Sequence, residues 1–364
     1  MRIDQYLPVL AAHDGIGAHV LHLREVLRSA GVESAIYAEV LDERLAGEAS
    51  HYLDGPARPD PARLVLFHAS TSSDMTGWLR SRGRLGQRIL TCYHNITPAS
   101  YFRRWLPEAA EAMFAAREEL ASLAPLTELA VGVSEYNTAE LSTLGYTRTE
   151  TAPLLVDLAA DHDEADQETS ERLEAERSAG GHRWLFVGRI APNKCQHDVI
   201  AAFAAYRRLA DPKAQLTLVG GATAPAYREA LRRLASELRL GDSVTFAEGL
   251  SRAELIAHFQ SSDVLVCLSE HEGFCAPLVE AMELGVPVVA FAAAAVPETV
   301  AGAGVLLADK DPLTVAVGVA ELLADGVRRA QLVAAGRARA AELSLPAAAR
   351  RWRSLLVGDA EQSG

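Results

Sequence analysis

The chain is short of what marks a secreted, membrane-spanning or nucleic-acid-binding protein. It has only four cysteines, Cys92, Cys195, Cys267 and Cys275, with no C-x-x-C pair. That pattern predicts reduced thiols and a cytoplasmic location rather than a disulfide framework. The longest low-charge run, Val286 to Pro297, is too short to span a bilayer. The opening Met1-Arg2-Ile3-Asp4, followed by Pro8, lacks the unbroken apolar core of a signal peptide. Positive charge is in deficit: 35 Lys and Arg against 48 Asp and Glu give a net charge of -13. Such a balance disfavours nucleic acid or anionic membrane as the main partner, while leaving room for a local basic pocket. No His, Cys, Asp or Glu cluster has metal-ligand spacing, and no second His follows His271-Glu272 at helical spacing. Ser269 lacks the G-x-S-x-G elbow. Zincin and serine-hydrolase chemistries are therefore not predicted, nor is a required metal or tightly bound cofactor.

What is present is an ordinary globular composition, 49% hydrophobic and 23% charged, over 364 residues. That length predicts two domains with ample cores. Short apolar runs alternate with helical patterns, as in parallel sheets built from βαβ units. Strands are expected at Gln5–Leu10, Ser34–Ala38, Leu64–His68, Ile89–Tyr93, Leu129–Val133 and Ala152–Val156. A second series is expected at Trp184–Val187, Gln215–Val219, Val244–Phe246, Val264–Leu268, Val286–Phe291 and Gly304–Leu307. The acidic stretch between the halves reads as a linker carrying a short exposed helix. The expected division is a first α/β domain over residues 1–160, a linker over 161–181, a second α/β domain over 182–343 and a closing helix over 344–364. Each domain is expected to be a Rossmann-like, doubly wound parallel sheet. Monomer and homodimer are both open.

The richest stretch runs from Ser269 through Glu272-Gly273-Phe274-Cys275-Ala276-Pro277 to Glu280-Ala281-Met282. A strand ends, a glycine turn follows and a helix begins. Ligands bind open α/β sheets at such strand ends. The first amides of the helix have no internal partner and favour phosphate. Glu280 lies about one turn into the helix, where its carboxylate accepts from neutral hydroxyls. Amides for phosphate beside carboxylates for hydroxyls fit a sugar nucleotide.

Glu272 and Glu280, with seven residues between them, resemble the E-x7-E motif of retaining GT-B glycosyltransferases of family 4. The resemblance implies two Rossmann-like domains facing across a cleft, with the closing helix crossing back to the first. It implies that Glu280 holds the nucleotide ribose, and that Glu272 and the groups of Gly273, Phe274, Cys275 and Ala276 face the donor sugar and diphosphate. Many members have Gly where this chain has Cys275.

Further segments carry the same resemblance. After the strand Leu185-Phe186-Val187 comes Gly188-Arg189, with Lys194 five residues beyond Arg189. Two cations at a sheet edge stabilise a departing nucleoside diphosphate. The run looks like the G-R-x(4)-K element of the family, with Cys195 where Gly is frequent. The turn His13-Asp14-Gly15-Ile16-Gly17 resembles the family's glycine loop; Gly17 is expected on the donor diphosphate and His13 and Asp14 near the acceptor. Tyr93-His94-Asn95 closes a strand, and in similar enzymes the matching His meets the donor sugar. Asn95 is a further acceptor candidate. Ser134 reads first as a helix N-cap and second as an acceptor contact. Glu248-Gly249-Leu250 matches a turn beside the nucleobase, and Pro297-Glu298 a loop packed on the site.

The resemblance implies transfer of a sugar from a UDP-, GDP- or dTDP-sugar to a hydroxyl of a small soluble acceptor, such as a sugar, aminocyclitol or natural-product intermediate. It implies front-face departure, in which the leaving phosphate takes the acceptor proton while Arg189 and Lys194 bear its charge. The catalytic set is then Arg189, Lys194, Glu272 and His94. Alternatives are a GT-B sugar-nucleotide epimerase and a non-catalytic sugar-nucleotide-binding subunit. The Ala- and Arg-rich composition points to a GC-rich bacterial source, where similar sequences serve cell-envelope, storage-sugar or antibiotic biosynthesis.

Overall fold

The computed structural model describes residues 1–11, 15–157, 165–178 and 180–358. The chain divides into two compact units, one formed by Met1–Asp157 with Leu343–Gly364 and the other by Leu158–Glu342. The first contains β1 (Arg2–Leu10), α1 (Gly15–Ser29), β2 (Ile36–Leu41), β3 (Ser50–His51), β4 (Arg63–Ala69), α2 (Met75–Arg84) and β5 (Arg88–Tyr93). It continues with α3 (Pro107–Leu123), β6 (Thr127–Gly132), α4 (Glu135–Thr143) and β7 (Thr149–Thr151). The second begins with α5 (Gln167–Arg177), β8 (Arg183–Val187), α6 (Gln196–Leu209), β9 (Gln215–Val219), α7 (Pro225–Glu237) and β10 (Val244–Ala247). It goes on through α8 (Arg252–Gln260), β11 (Val264–Cys267), α9 (Ala276–Glu283), β12 (Val288–Phe291), α10 (Val296–Val300), β13 (Val305–Leu307), α11 (Pro312–Ala324) and α12 (Gly326–Glu342). The last helix, α13 (Leu345–Val357), returns to the first unit.

Both sheets are parallel. The first has the order β3-β2-β1-β4-β5-β6-β7 and the second β10-β9-β8-β11-β12-β13. Each order reverses beside the strand that comes first in the sequence, β1 or β8, as in Rossmann folds. Helices cover the sheets, so strands such as Val264-Leu265-Val266-Cys267 are buried at every position and read as unbroken apolar runs. α1 is amphipathic instead: Val20, Leu23 and Leu27 are buried at helical spacing while its other face stays wet.

Several boundaries differ from the sequence expectation. The strand expected at Ala152–Val156 is replaced by β7, three residues earlier. Ala152 still donates its N–H to the Gly132 carbonyl, but Pro153 has no N–H with which to extend the ladder. β3, only two polar residues long, has no alternating pattern to betray it. The short helix expected in the acidic stretch is α5, and it is docked rather than fully exposed: Leu173 is buried against α8 and Arg177 bonds Asp263 at 3.1 Å. Asp166 caps α5 through the Thr169 N–H. α13 packs on α1, and Trp352, fully buried, donates to the Pro153 carbonyl at 2.8 Å.

Candidate functional site

In the second unit the strand order reverses between β8 and β11. The loops leaving those two strands meet there. Asn193 donates to the His271 carbonyl at 3.1 Å, and the Glu270 N–H returns to the Asn193 carbonyl at 3.0 Å. Lys310 ties the edge down through Asp198 and Glu270, each at 2.6 Å. Burial works against its charge, but the two carboxylates prevail and hold its pKa above the usual lysine range. Between these loops Lys194 and Glu272 form an ion pair at 2.5 Å, with side-chain exposures of 15% and 8%.

Backbone shape explains several residue choices. Gly188 and Gly220 have φ of +147° and +145°, and a Cβ on Gly220 would lie 2.1 Å from the Gly188 carbonyl oxygen. Gly220→Ala should therefore push apart the loops after β8 and β9 and cost about 2 kcal/mol or more, read as a lower denaturation midpoint. Cys195 and Cys275, which stand where the resemblance implies Gly, both adopt left-handed backbone, with φ of 52° and 67°. A non-glycine residue accepts about 1–2 kcal/mol there; both side chains are buried, and their packing offsets that cost. The Cys275 sulfur lies 3.8 Å from that of Cys267. Its contact with Cys267, together with burial, moves the Cys275 thiol well above its usual range.

Cys275 starts α9 without a side-chain cap; Pro277 has no N–H and the Leu278 N–H donates to the Cys275 carbonyl at 3.0 Å, which leaves the Ala276 N–H as the amide available at this helix start. Ala276 is half-buried, as is Gly273, while Phe274 is buried and its carbonyl accepts from Thr299 at 2.6 Å. Glu280 bonds Arg252 at 2.5 Å. Glu248 is exposed and paired with Arg228; Gly249 beside it has a φ of +69°, and Leu250 is half-buried. Arg189 has an exposed side chain, and its carbonyl accepts from Gln196 at 2.9 Å. The second unit thus brings Lys194 and Glu272 into contact and leaves Arg189 projecting. Nothing in the sequence announced Arg252 and Arg228 as partners of the two outer acids.

In the first unit Gly17 has a packing reason of its own, since a Cβ there would lie 2.6 Å from the Ala11 carbonyl oxygen. His13 and Asp14 lie outside the described residues. Ser134 is buried and caps α4 by accepting the Asn137 N–H, the first of its two expected roles. Asn95 has a φ of +82° and donates to the Asn137 side chain at 3.1 Å. His94 is buried and belongs to a cluster that linear spacing does not reveal: His19, His68, Cys92 and His94 offer ligand atoms all within 4.8 Å of one another. Burial keeps these imidazoles neutral, lowering His94 to about 3 and moving His19 and His68 well below their usual value.

Comparison with known proteins adds the family context. Residues 170–339 match the family model described as Glycosyl transferases group 1. The GDP-mannose-dependent alpha-(1-6)-phosphatidylinositol monomannoside mannosyltransferase of Mycolicibacterium smegmatis is 38% identical over 175 residues, 44% of this chain and 44% of that protein. A D-inositol 3-phosphate glycosyltransferase of Stackebrandtia nassauensis is 34% identical over 169 residues, 44% of this chain and 38% of its own. The chain thus spans less than half the length of these curated relatives in the matched region. Among solved structures, sucrose-phosphate synthase from Thermosynechococcus elongatus superposes with a TM-score of 0.75 at 21% identity, covering 98% of each chain. The fold is two Rossmann-like parallel-sheet domains of the GT-B glycosyltransferase kind, and the group 1 glycosyl transferase match falls on the half that carries the Lys194–Glu272 pair.

Proposed function

We propose that this chain is a retaining glycosyltransferase of family 4 that moves a sugar from a nucleoside-diphosphate sugar to an acceptor hydroxyl. The observation that carries the reading is the Lys194–Glu272 pair at the switch point of the second sheet, with the uncapped start of α9 following it. Diphosphate oxygens docking there meet the N-terminal end of α9 with its Ala276 N–H and a cation held within reach, and Arg189 adds a second cation from the loop after β8. As the glycosidic bond breaks, charge grows on the leaving phosphate oxygen. Fixed donors that are already in place stabilise that charge without reorganising. The leaving oxygen takes the acceptor proton on the same face, so the sugar keeps its configuration.

Glu272, freed in part from Lys194, accepts from donor-sugar hydroxyls, and Glu280 accepts from the ribose. In the free chain Arg252 occupies Glu280, so donor binding exchanges one partner for another. The relative named as GDP-mannose-dependent makes GDP-mannose the first donor to test, ahead of UDP- and dTDP-sugars. The proposed acceptor is a small hydroxyl-bearing molecule, such as a sugar, aminocyclitol or natural-product intermediate, and the family match over residues 170–339 speaks to the donor half rather than to acceptor choice.

The test is transfer and donor hydrolysis with Glu280→Gln. Loss of a charged acceptor for the ribose hydroxyls should raise the donor Kd about tenfold, since hydrogen bonds to charged groups contribute about 1.5–3 kcal/mol. Unchanged affinity for every nucleotide sugar would refute the assignment of Glu280. Donor turnover without any acceptor product, giving instead an isomerised sugar nucleotide, would favour an epimerase.

A further inference from the structure

Gln5, His68 and His94 form a hydrogen-bonded chain in the first unit whose proton positions are fixed from one end. The Gln5 amide nitrogen donates to the Val20 carbonyl at 3.1 Å. A carbonyl only accepts, so the amide oxygen of Gln5 must face the other way, toward the His68 Nε2 at 3.0 Å. His68 is therefore protonated on Nε2, and its Nδ1 carries a lone pair. That lone pair faces the His94 Nε2 at 2.9 Å. His94 must then carry its proton on Nε2, with Cys92 Sγ also 3.3 Å from that nitrogen. Its Nδ1 is left as a bare acceptor, buried and without a hydrogen-bond partner among the described residues.

The neighbouring His19 is fixed from a different backbone group. The Leu155 N–H donates to its Nδ1 at 3.0 Å, which places the His19 proton on Nε2. This assignment bears on metal binding by the four-residue cluster. A metal at His19 Nε2 would need the lone pair of a nitrogen that already holds a proton, while the other ring nitrogen is occupied as an acceptor. The donor set of His19, His68, Cys92 and His94 therefore fits a neutral hydrogen-bonded network better than a tetrahedral metal site.

We propose that Gln5 and His68 are positioning residues that lock His94 in the Nε2–H tautomer, so that Nδ1 accepts a hydrogen bond from a sugar hydroxyl. A buried acceptor without a partner is costly to leave unsatisfied. A ligand hydroxyl donating to Nδ1 satisfies that acceptor, whereas the other tautomer would place an N–H there and call for an acceptor instead. The tautomer assignment stands on the hydrogen-bond chain alone; the role of Nδ1 rests on the glycosyltransferase reading.

The experiment has two arms on the full chain. Two-bond ¹⁵N–¹H correlation spectra of histidine-labelled protein at pH 7.5 should show His68 and His94 protonated on Nε2 and bare on Nδ1. Protonated Nδ1 on His94 overturns the proposal whatever the enzyme does. In the second arm His68→Leu, which removes the acceptor, should lower kcat for sugar transfer about tenfold with the acceptor KM unchanged. His68→Gln, whose amide oxygen accepts from His94 Nε2–H, should recover most of that loss. If His68→Leu fails to fold, Gln5→Met, which frees the far end of the chain, is read in both arms instead. Wild-type kcat in a folded variant whose His94 tautomer is scrambled overturns the positioning role while leaving the wild-type transfer reaction, and so the functional reading, intact. Absence of any sugar transfer by the wild-type chain, with the tautomers as assigned, sinks the role of Nδ1 together with that reading.

Discussion

Lys194→Ala should lower sugar transfer by a factor of about 10²–10³ at saturating donor, the loss seen when one preorganised stabiliser of developing charge is removed. The site explains why this lysine outweighs Arg189. Lys194 is mostly buried and held by Glu272 at 2.5 Å, whereas the Arg189 side chain is exposed to solvent. A cation kept in a partly dry site acts at a lower effective dielectric than one in water. The variant also strands the Glu272 carboxylate at 8% exposure, and breaking one side of a buried pair is itself destabilising. Lys194→Ala combined with Glu272→Gln separates the two effects. The double variant should recover thermal stability and remain slow. A double variant that regains wild-type turnover would show that Lys194 serves the fold and not the leaving group.

Mild acid should unfold the first unit well before the second. His19, His68 and His94 are buried and neutral, and burial, the first cause in each case, lowers their pKa values. In the unfolded chain each histidine titrates near 6.5. The sign follows directly. Below pH 6.5 the unfolded state binds protons that the folded state refuses, so stability is complete above 6.5 and falls as pH drops, down to about 3 for His94. Each group adds a slope of about 1.4 kcal/mol per pH unit, so three reach about 4 kcal/mol per unit. Against a typical stability of about 5–15 kcal/mol, a drop to pH 5 consumes a large share. The other groups packed on the cluster are His22, which opposes protonation of His19, and the Cys92 thiol, which burial keeps neutral. Urea unfolding at pH 7.5, 6.0 and 5.0, followed through Trp352 of the first unit and Trp184 of the second, measures the slope. His19→Gln should flatten it by one proton. A slope equal at both tryptophans would contradict the assignment.

The doubly wound architecture was legible because strands buried on both faces are written as short apolar runs, and Val264-Leu265-Val266-Cys267 could hardly be anything else. The contact between Lys194 and Glu272 was also within reach, since each follows a strand and the two strands, β8 and β11, are neighbours in any Rossmann order. Other features required the fold. The histidine cluster draws on α1, β4 and the end of β5, and no linear spacing links His19, His68 and His94. Arg252 and Arg228 reach Glu280 and Glu248 from helices whose rotation the motifs do not specify. The strand shift at Pro153 was readable from the missing N–H alone. The helical stretch 167–177 looked like a linker because its charges dominate, although a single buried Leu173 is enough to dock it.

The most direct measurement is a crystal structure of the chain grown with GDP and, in parallel, with UDP. The account predicts the diphosphate against the N-terminal end of α9 and Lys194, with the ribose hydroxyls on Glu280 in place of Arg252. A nucleotide bound elsewhere, or a strand-end crevice left empty at millimolar ligand while Arg252 keeps its grip on Glu280, would contradict it.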